Sequence, residues 1–269
     1  MPTRSNRKDK ANEFSLIPKR KLLELYSWTV RCRLLGELLE GARRSKPVRD
    51  LEAAAVAVCL DLKRGDRVFT TGCEFLPAFV HRQKVDAALG TFHAPAASVS
   101  ARMKEAVAAA RQAKQAKQAN AGRLVTVFCT GATGGSAAWK NALRTANAET
   151  LPVIFVRILE SEAEASGHAE HGFPAIPADC HDVVAIYRVA SESFAHARQG
   201  HGATLIECIP WALAGKNDHD AALNLERFLA PRGIATERIT AGVKTSFARA
   251  LRQAAKLAAD KKSTRKKSR

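Results

Sequence analysis

The sequence predicts an α/β fold with a mostly parallel sheet that is flanked by helices on both faces. Two apolar, β-branched runs, residues 124–129 and 153–158, enclose a helix-compatible segment at 137–148. Continuous apolar runs of this kind are typical of parallel strands that are buried on both faces. Because a Gly, Thr and Ser turn at 130–136 joins the first strand to the helix, the whole segment is predicted to be a βαβ unit.

This turn is the predicted ligand site. In open α/β sheets, ligands lie at the carboxyl ends of the strands, and the free N–H groups of a helix amino terminus bind phosphates. Residues 130–136, beginning with Thr130, Gly131 and Ala132, are therefore a candidate diphosphate loop. A glycine-rich turn without any ligand would have the same local pattern, so both interpretations stay open.

Further elements are predicted on both sides of this unit. Before the unit, an amphipathic helix is predicted at 21–39 and an alanine-rich helix at 50–62. A polar turn and a strand are predicted within 63–69, and a third helix at 99–117. After the unit, the Asp182 carboxylate is placed to cap a helix.

Length and composition limit the number of domains and indicate charged segments at both ends. The chain has 269 residues, of which 46% are hydrophobic, enough for one large domain, predicted at 21–240. The formal net charge of +17 is concentrated in a basic arm at 1–20 and in a basic helix and disordered tail at 241–269. Such tails bind nucleic acid or acidic partners through salt-sensitive contacts. A merely solubilising or tethering tail is an equal alternative.

Several classes of protein are disfavoured. No apolar run approaches the length of a membrane span, and the start lacks the apolar segment of a secretory signal, so a soluble, cytoplasmic protein is expected. The six cysteines are scattered without a CxxC pair, which favours buried thiols over disulfides and predicts no metal site.

Four segments carry a resemblance to a known family. They are Thr130-Gly131-Ala132-Thr133, Asn141-Ala142-Leu143, Leu151-Pro152-Val153-Ile154-Phe155, and the run from Arg198 through Gly200 and Gly202 to Leu205-Ile206-Glu207. Together they resemble the alpha subunit of the first, decarboxylating component of the thiamine-diphosphate-dependent 2-oxo acid dehydrogenases. The resemblance spans roughly residues 21–238. It implies that a glycine of the run from Arg198, such as Gly200, ends the helix that follows Asp182, that a last parallel strand then begins, and that a closing helix lies at 225–233.

The resemblance implies a thiamine-diphosphate-binding fold, with thiamine diphosphate and Mg²⁺ as cofactors. It also implies a beta subunit that supplies the other half of the site, and assembly as a homodimer or heterotetramer. The implied activity is that of an oxidoreductase acting on the oxo group of a 2-oxo acid.

The positions that hold the cofactor in this family differ here. The family's metal-binding Asp falls on Gly131 or Thr130, and its Asn-Asn pair falls on Leu159 and Glu160. Mg²⁺ requires such oxygen ligands, so the prediction is a degenerate loop of Thr130, Gly131 and Ala132 with Glu160 as the nearby acid. In the shortened loop at 90–98, His93 is a weak candidate for the catalytic histidine.

Three hypotheses follow. The first is an alpha-subunit-like protein that has lost autonomous cofactor binding, a pseudoenzyme with a structural or regulatory role. The second is an active thiamine-diphosphate-dependent oxidoreductase whose missing metal ligands come from Glu160, Asp179 or a partner. The third is a protein that tethers nucleic acid or a partner through its basic tail.

Overall fold

The helices and strands alternate along the chain as an α/β fold requires. A computed structural model describes residues 17–40, 49–71, 75–86, 98–116, 122–165, 172, 174–211 and 219–267. The strands are β1 (Arg67–Thr70), β2 (Val125–Thr130), β3 (Val153–Ile158), β4 (Ala175–Asp179) and β5 (Thr204–Ile209). The helices are α1 (Lys19–Glu40), α2 (Arg49–Cys59), α3 (Leu76–Arg82), α4 (Val99–Gln115), α5 (Ala137–Ala148), α6 (Val183–Gln199), α7 (Ala221–Leu229) and α8 (Glu237–Lys267).

The five strands form one sheet in the order β1-β2-β3-β5-β4, and every neighbouring pair is parallel. Strands β1, β2 and β3 are consecutive neighbours in the sheet. The chain then forms the edge strand β4, one position away from β3, and α6 leads back to β5, which lies between β3 and β4. β3 and β5 therefore lie next to each other although they are not consecutive. This is the place where the strand order reverses.

Helices cover both faces of the sheet. On one face, α4 and α5 bury an alanine-rich surface and Trp139 against Val127, Phe155 and Leu205. On the other face, α1, α2, α3, α6, α7 and α8 enclose a larger core that includes Phe128. The helix after β2 and the helix after β5 thus lie on opposite faces, an arrangement that opens a crevice at the carboxyl edge of the sheet around β3.

The predicted fold class is confirmed. The helix predicted at 137–148 and the strand predicted at 153–158 coincide with α5 and β3. The Asp182 carboxylate caps α6 by accepting hydrogen bonds from the N–H groups of Val184 and Ala185, both at 2.9 Å. Gly200 ends this helix in the left-handed conformation, with φ of 93°. The short helix α3, which begins with a proline in its first turn, was not predicted.

At the amino edge of the sheet, Asp66 joins three segments of the chain. Its carboxylate accepts hydrogen bonds from the N–H groups of Lys63 at 2.7 Å and Leu124 at 2.8 Å. Arg198, at the end of α6, pairs with the same carboxylate at 2.6 Å and also donates to the carbonyl of Gly122. The start of β1, the entry to β2 and the end of α6 are therefore fixed together, away from the candidate ligand loop.

Helix α8 extends along the large core. Val243 and Phe247 are buried against it, whereas Lys244, Arg249 and Arg252 are exposed. The sequence predicts a basic helix from residue 241 and then a tail; the helix begins at Glu237 and its backbone continues to Lys267. Among the described helices, none is long and apolar enough to cross a membrane.

Candidate functional site

The glycine-rich loop lies between the carboxyl end of β2 and the start of α5. Residues Gly131–Gly135 form a 3-10 turn, and Ser136 caps α5 by accepting a hydrogen bond from the N–H of Trp139 at 3.3 Å. Within the loop, the Thr133 hydroxyl donates to the carbonyl of Thr130, and the Ser136 N–H donates to the carbonyl of Thr133 at 3.2 Å. The loop thus satisfies part of its own hydrogen-bonding capacity.

A buried arginine lies beside this loop. Arg157 belongs to β3, and its side chain is only 13% exposed. Glu207 lies opposite it on β5, in register, with a side chain that is 2% exposed and a carboxylate 3.5 Å from the Arg157 guanidinium. Glu164, in the turn after β3, accepts a hydrogen bond from Arg157 through its carbonyl at 3.0 Å, and its carboxylate lies 3.8 Å away.

The loop and the arginine are in close contact. A Cβ atom added at Gly134 would lie 2.8 Å from the Cδ of Arg157, closer than side chains tolerate. The Nε of Arg157 is buried and has no hydrogen-bond partner within the described part of the chain. The guanidinium therefore fills the crevice between the loop and the neighbouring strand β5, where the strand order reverses.

The structure brings together some of the predicted site residues. Thr130 is the last residue of β2, and Gly131 and Ala132 open the 3-10 turn, as a loop at the carboxyl edge requires. Glu160 lies two residues beyond β3 and is exposed. His93 lies outside the described residues. None of these placements tests whether the residues bind a ligand.

The residues at this edge do not fit a Mg²⁺–diphosphate group. Residues 130–136 contain hydroxyl and backbone groups but no carboxylate. At the end of β3, the Leu159 side chain is 2% exposed and apolar, and its N–H continues the strand pairing by donating to the carbonyl of Cys208 at 2.9 Å. Mg²⁺ is held by oxygen ligands, whereas the buried group that contacts this loop at Gly134 is the Arg157 cation.

A second polar cluster lies at the carboxyl end of β4. The Cys180 Sγ is 3.2 Å from the Nδ1 of His181, and this Nδ1 is 3.5 Å from the Oδ1 of Asp179. The His219 ring packs edge-to-face on the His181 ring, with centroids 5.0 Å apart. Asp179, His181 and His219 line a cavity of about 210 Å³ beside α7.

The electrostatics of this cluster favour an ionised carboxylate. Burial raises the pKa of Asp179, but hydrogen bonds from the side chain and backbone of His181, with charges on His181 and His219, outweigh burial and hold it below its usual value. The neighbouring thiol of Cys208 has a pKa raised by burial and by the nearby Cys180. The cluster therefore combines a carboxylate, two imidazoles and buried sulfur.

Sequence reasoning overlooked both groups of buried polar residues. Arg157 and Glu207 interrupt apolar strand runs, VIFVRI and TLIECI, and a charge inside such a run indicates a buried partner on the next strand. In this region the sequence predicts only the Asp182 cap and Asp179 as a possible substitute metal ligand, and it predicts no role for Cys180 or His181. Three consecutive residues with potential metal-ligand atoms, Asp179-Cys180-His181, could have indicated this cluster from the sequence. The contact between His219 and His181 depends on tertiary structure.

No family model matches the chain, and no curated protein matches it. Among solved structures, the chain is similar to transketolase from Leishmania mexicana, with a TM-score of 0.51 and 12% sequence identity. The similarity covers 87% of this chain and 45% of the transketolase, so the chain spans less than half of that enzyme's length. The likeness shows the fold, which is a thiamine-diphosphate-binding fold.

Proposed function

We propose that this chain is a catalytically degenerate, alpha-subunit-like protein of the 2-oxo acid dehydrogenase family that acts as a structural or regulatory subunit. The proposal combines the fold with the family pattern in the sequence. The observation that carries it is Arg157, which is buried against the glycine-rich loop and is compensated by Glu207 and Glu164.

The charges explain why this arrangement opposes cofactor binding. Arg157 is a buried cation in contact with the loop, and a Mg²⁺ ion placed there would face it without a compensating carboxylate from residues 130–136. The guanidinium is also not a free anion receptor, because Glu207 is nearly fully buried beside it and balances its charge. A diphosphate that displaced Glu207 from Arg157 would separate a buried ion pair, which is energetically costly.

Glu160 does not replace the missing ligands in this proposal. It is exposed after β3, whereas the adjacent Leu159 is buried and apolar. A single solvated carboxylate binds Mg²⁺ weakly, since the ion requires near-octahedral coordination by oxygen atoms. The active-enzyme hypothesis therefore depends on residues that a partner would supply.

A role as a subunit is supported by apolar side chains that remain exposed near the carboxyl edge. Trp211 follows β5 and is 37% exposed, and Leu223 in the first turn of α7 is 38% exposed. Exposed large apolar side chains are enriched where protein surfaces meet. We propose a beta subunit as the partner of this edge, in a heterotetramer, with a homodimer of this chain as the alternative assembly.

Co-purification tests the proposal. The tagged full-length chain is purified natively, co-purifying proteins are identified, and thiamine diphosphate is measured after denaturation. A beta subunit without stoichiometric cofactor is the expected result. A beta subunit with one thiamine diphosphate per chain would overturn degeneracy and favour the active oxidoreductase. Absence of a beta subunit would overturn the subunit role.

Helix α8 favours a second candidate function, the tethering of nucleic acid. Val243 and Phe247 anchor one side of the helix, so Lys244, Arg249 and Arg252 are held on the exposed side. Contacts of basic side chains with phosphates weaken steeply as salt increases. Removal of residues 255–269 together with Lys244→Gln, Arg249→Gln and Arg252→Gln leaves Val243 and Phe247 in place and should therefore abolish retention of nucleic acid at low salt. Unchanged retention by this variant would exclude the function.

A further inference from the structure

We propose that Cys180, His181, Asp179 and His219 form a binding site for a transition-metal ion of the Zn²⁺ type. The site lies at the carboxyl end of β4, separate from the glycine-rich loop after β2, and it does not depend on the proposed subunit role. Its first three residues are consecutive, and their potential ligand atoms all lie within 4.8 Å of one another.

Two of the separations between these ligand atoms are close to those around a shared tetrahedral ion. With Zn–N bonds of about 2.0 Å and Zn–S bonds of about 2.3 Å, ligand atoms in a tetrahedral site are roughly 3.3–3.5 Å apart. The observed separations are 3.2 Å from the Cys180 Sγ to the His181 Nδ1 and 3.5 Å from that nitrogen to the Asp179 Oδ1. Rotation of the His181 ring would direct one nitrogen at the ion.

The second histidine is also at a suitable distance. Two imidazole rings that bind one tetrahedral Zn²⁺ have centroids about 5 Å apart, as follows from the Zn–N bond length. The centroids of His181 and His219 are 5.0 Å apart. His219 is exposed and lines the cavity, whereas Cys180 and His181 are buried. The ion would therefore lie between the buried Cys180 and His181 on one side and the solvent-exposed His219 on the other.

The ligand chemistry selects the kind of metal. Sulfur and imidazole nitrogen prefer Zn²⁺, Co²⁺ and related ions over Mg²⁺ and Ca²⁺, which prefer oxygen. A thiolate and a carboxylate together carry two negative charges, which a divalent cation neutralises. The remaining cavity volume beside α7 leaves room for a water or a small anion as an additional ligand.

The site would fix two elements relative to each other. Asp179 is the last residue of β4, and Cys180 and His181 lie in the turn that leads to α6. His219 immediately precedes Asp220, which caps α7 by accepting a hydrogen bond from the N–H of Leu223 at 2.7 Å. An ion bound to both segments would join the turn to the start of α7. Its structural effect would be to close the cavity on the side of His219.

Cobalt titration tests this inference on the full-length chain. Metal-free protein in a non-thiol reductant is titrated with Co²⁺, and the sulfur-to-cobalt charge-transfer absorption is followed. We expect saturation at one Co²⁺ per chain, loss of the band in Cys180→Ser, and displacement of Co²⁺ by Zn²⁺. No charge-transfer band in the wild-type chain would overturn the proposal, and this result does not depend on any variant being folded.

Matched variants assign the ligands. His219→Ala changes an exposed side chain and should weaken Co²⁺ binding by at least about tenfold. His201→Ala is the control, because His196 and His201 have ring centroids 4.9 Å apart in a similar edge-to-face pair. Cys59→Ala is the control for loss of a buried thiol. Equal weakening by His201→Ala, or loss of the band in Cys59→Ala, would refute this assignment.

Discussion

Arg157 occupies the space that a side chain at Gly134 would need. These two residues come from successive parts of the βαβ unit, and their contact closes the crevice between the glycine-rich loop and β5. A glycine at 134 is therefore required by the arginine that faces it, and the loop is shaped by an internal cation. This relationship links the sequence of the loop to its proposed inability to hold a metal–diphosphate group.

Gly134→Ala should destabilise the protein by about 1–3 kcal/mol, because the new Cβ overlaps with Arg157 and forces the side chain or the loop to move. Gly135→Ala is the matched control, since a Cβ there meets no atom within 4 Å. Urea unfolding measures both variants. In a Gly134→Ala, Arg157→Ala double variant, the two costs should not add, because the overlap is removed; strict additivity would refute the steric account.

Replacement of Arg157 alone removes the cation that pairs with the buried Glu207 carboxylate. The Glu207 side chain is 2% exposed, so Arg157→Met should cost about 3–5 kcal/mol of unfolding free energy. The double variant Arg157→Met, Glu207→Leu removes both charges and should recover most of this loss. Chemical denaturation of the three variants gives the comparison. If the double variant were no more stable than Arg157→Met, the buried pair would not be the source of the effect.

The ion pair between Asp66 and Arg198 lies at the amino edge of the sheet, opposite the candidate site. Its removal tests the stability of the fold without a change at that site. Asp66→Ala removes the acceptor for two N–H groups and the partner of Arg198, so a loss of about 3–5 kcal/mol is expected. Arg102→Ala, which breaks an exposed pair with Glu105 on α4, should cost less than about 1 kcal/mol. Equal losses in the two variants would contradict this assignment.

The fold was largely predictable from sequence because its signals are local. The apolar runs of β2 and β3, the Asp182 cap and the Gly200 helix end each depend on neighbouring residues, and each is found where it was predicted. The site was less predictable because its contacts are not local. Arg157 and Glu207 are fifty positions apart and meet only through the pairing of β3 with β5. His219 reaches His181 only after α6 and β5 have been placed.

Stability at mildly acidic pH should depend on His81 in α3. Burial lowers its pKa below the ordinary value of 6.5, more than the nearby Asp66 raises it. The unfolded chain therefore binds a proton near pH 6.5 that the folded chain does not bind, and the free energy of unfolding should fall as pH decreases below that value. Above about pH 7.5, His81 contributes no pH dependence to the free energy of unfolding, since its imidazole is neutral in both the folded and the unfolded chain.

His81→Gln keeps a polar side chain but removes a group that binds a proton near neutral pH. The number of protons taken up on unfolding below pH 6.5 should therefore fall by up to one. The measurement is the unfolding free energy of both proteins at several values between pH 5 and pH 8, at constant ionic strength. The unfolding free energy of the wild-type chain minus that of the variant should be constant above pH 7.5 and should decrease as pH is lowered, because only His81 gains a proton at this position on unfolding. Curves that stay parallel over the whole range would exclude His81 as the source.

Helix α8 is predicted to contribute to the stability of the domain through its amino-terminal half. Phe247 is 7% exposed and packs edge-to-face on Phe79 of α3, with ring centroids 6.3 Å apart. Tyr26 of α1 is hydrogen-bonded to Thr240 at 2.7 Å and to Glu226, which attaches the start of the helix to α1 and α7. These contacts place the beginning of α8 within the folded unit.

Phe247→Ala should therefore cost about 3–5 kcal/mol, because it leaves a cavity beneath the helix. Arg252→Ala, on the exposed side of the same helix, should change stability by no more than about 0.5 kcal/mol. Guanidinium unfolding followed by circular dichroism compares the two. A small effect of Phe247→Ala would mean that α8 does not dock on the core in solution, and its basic side chains would then not be held in the orientation that the tethering function requires.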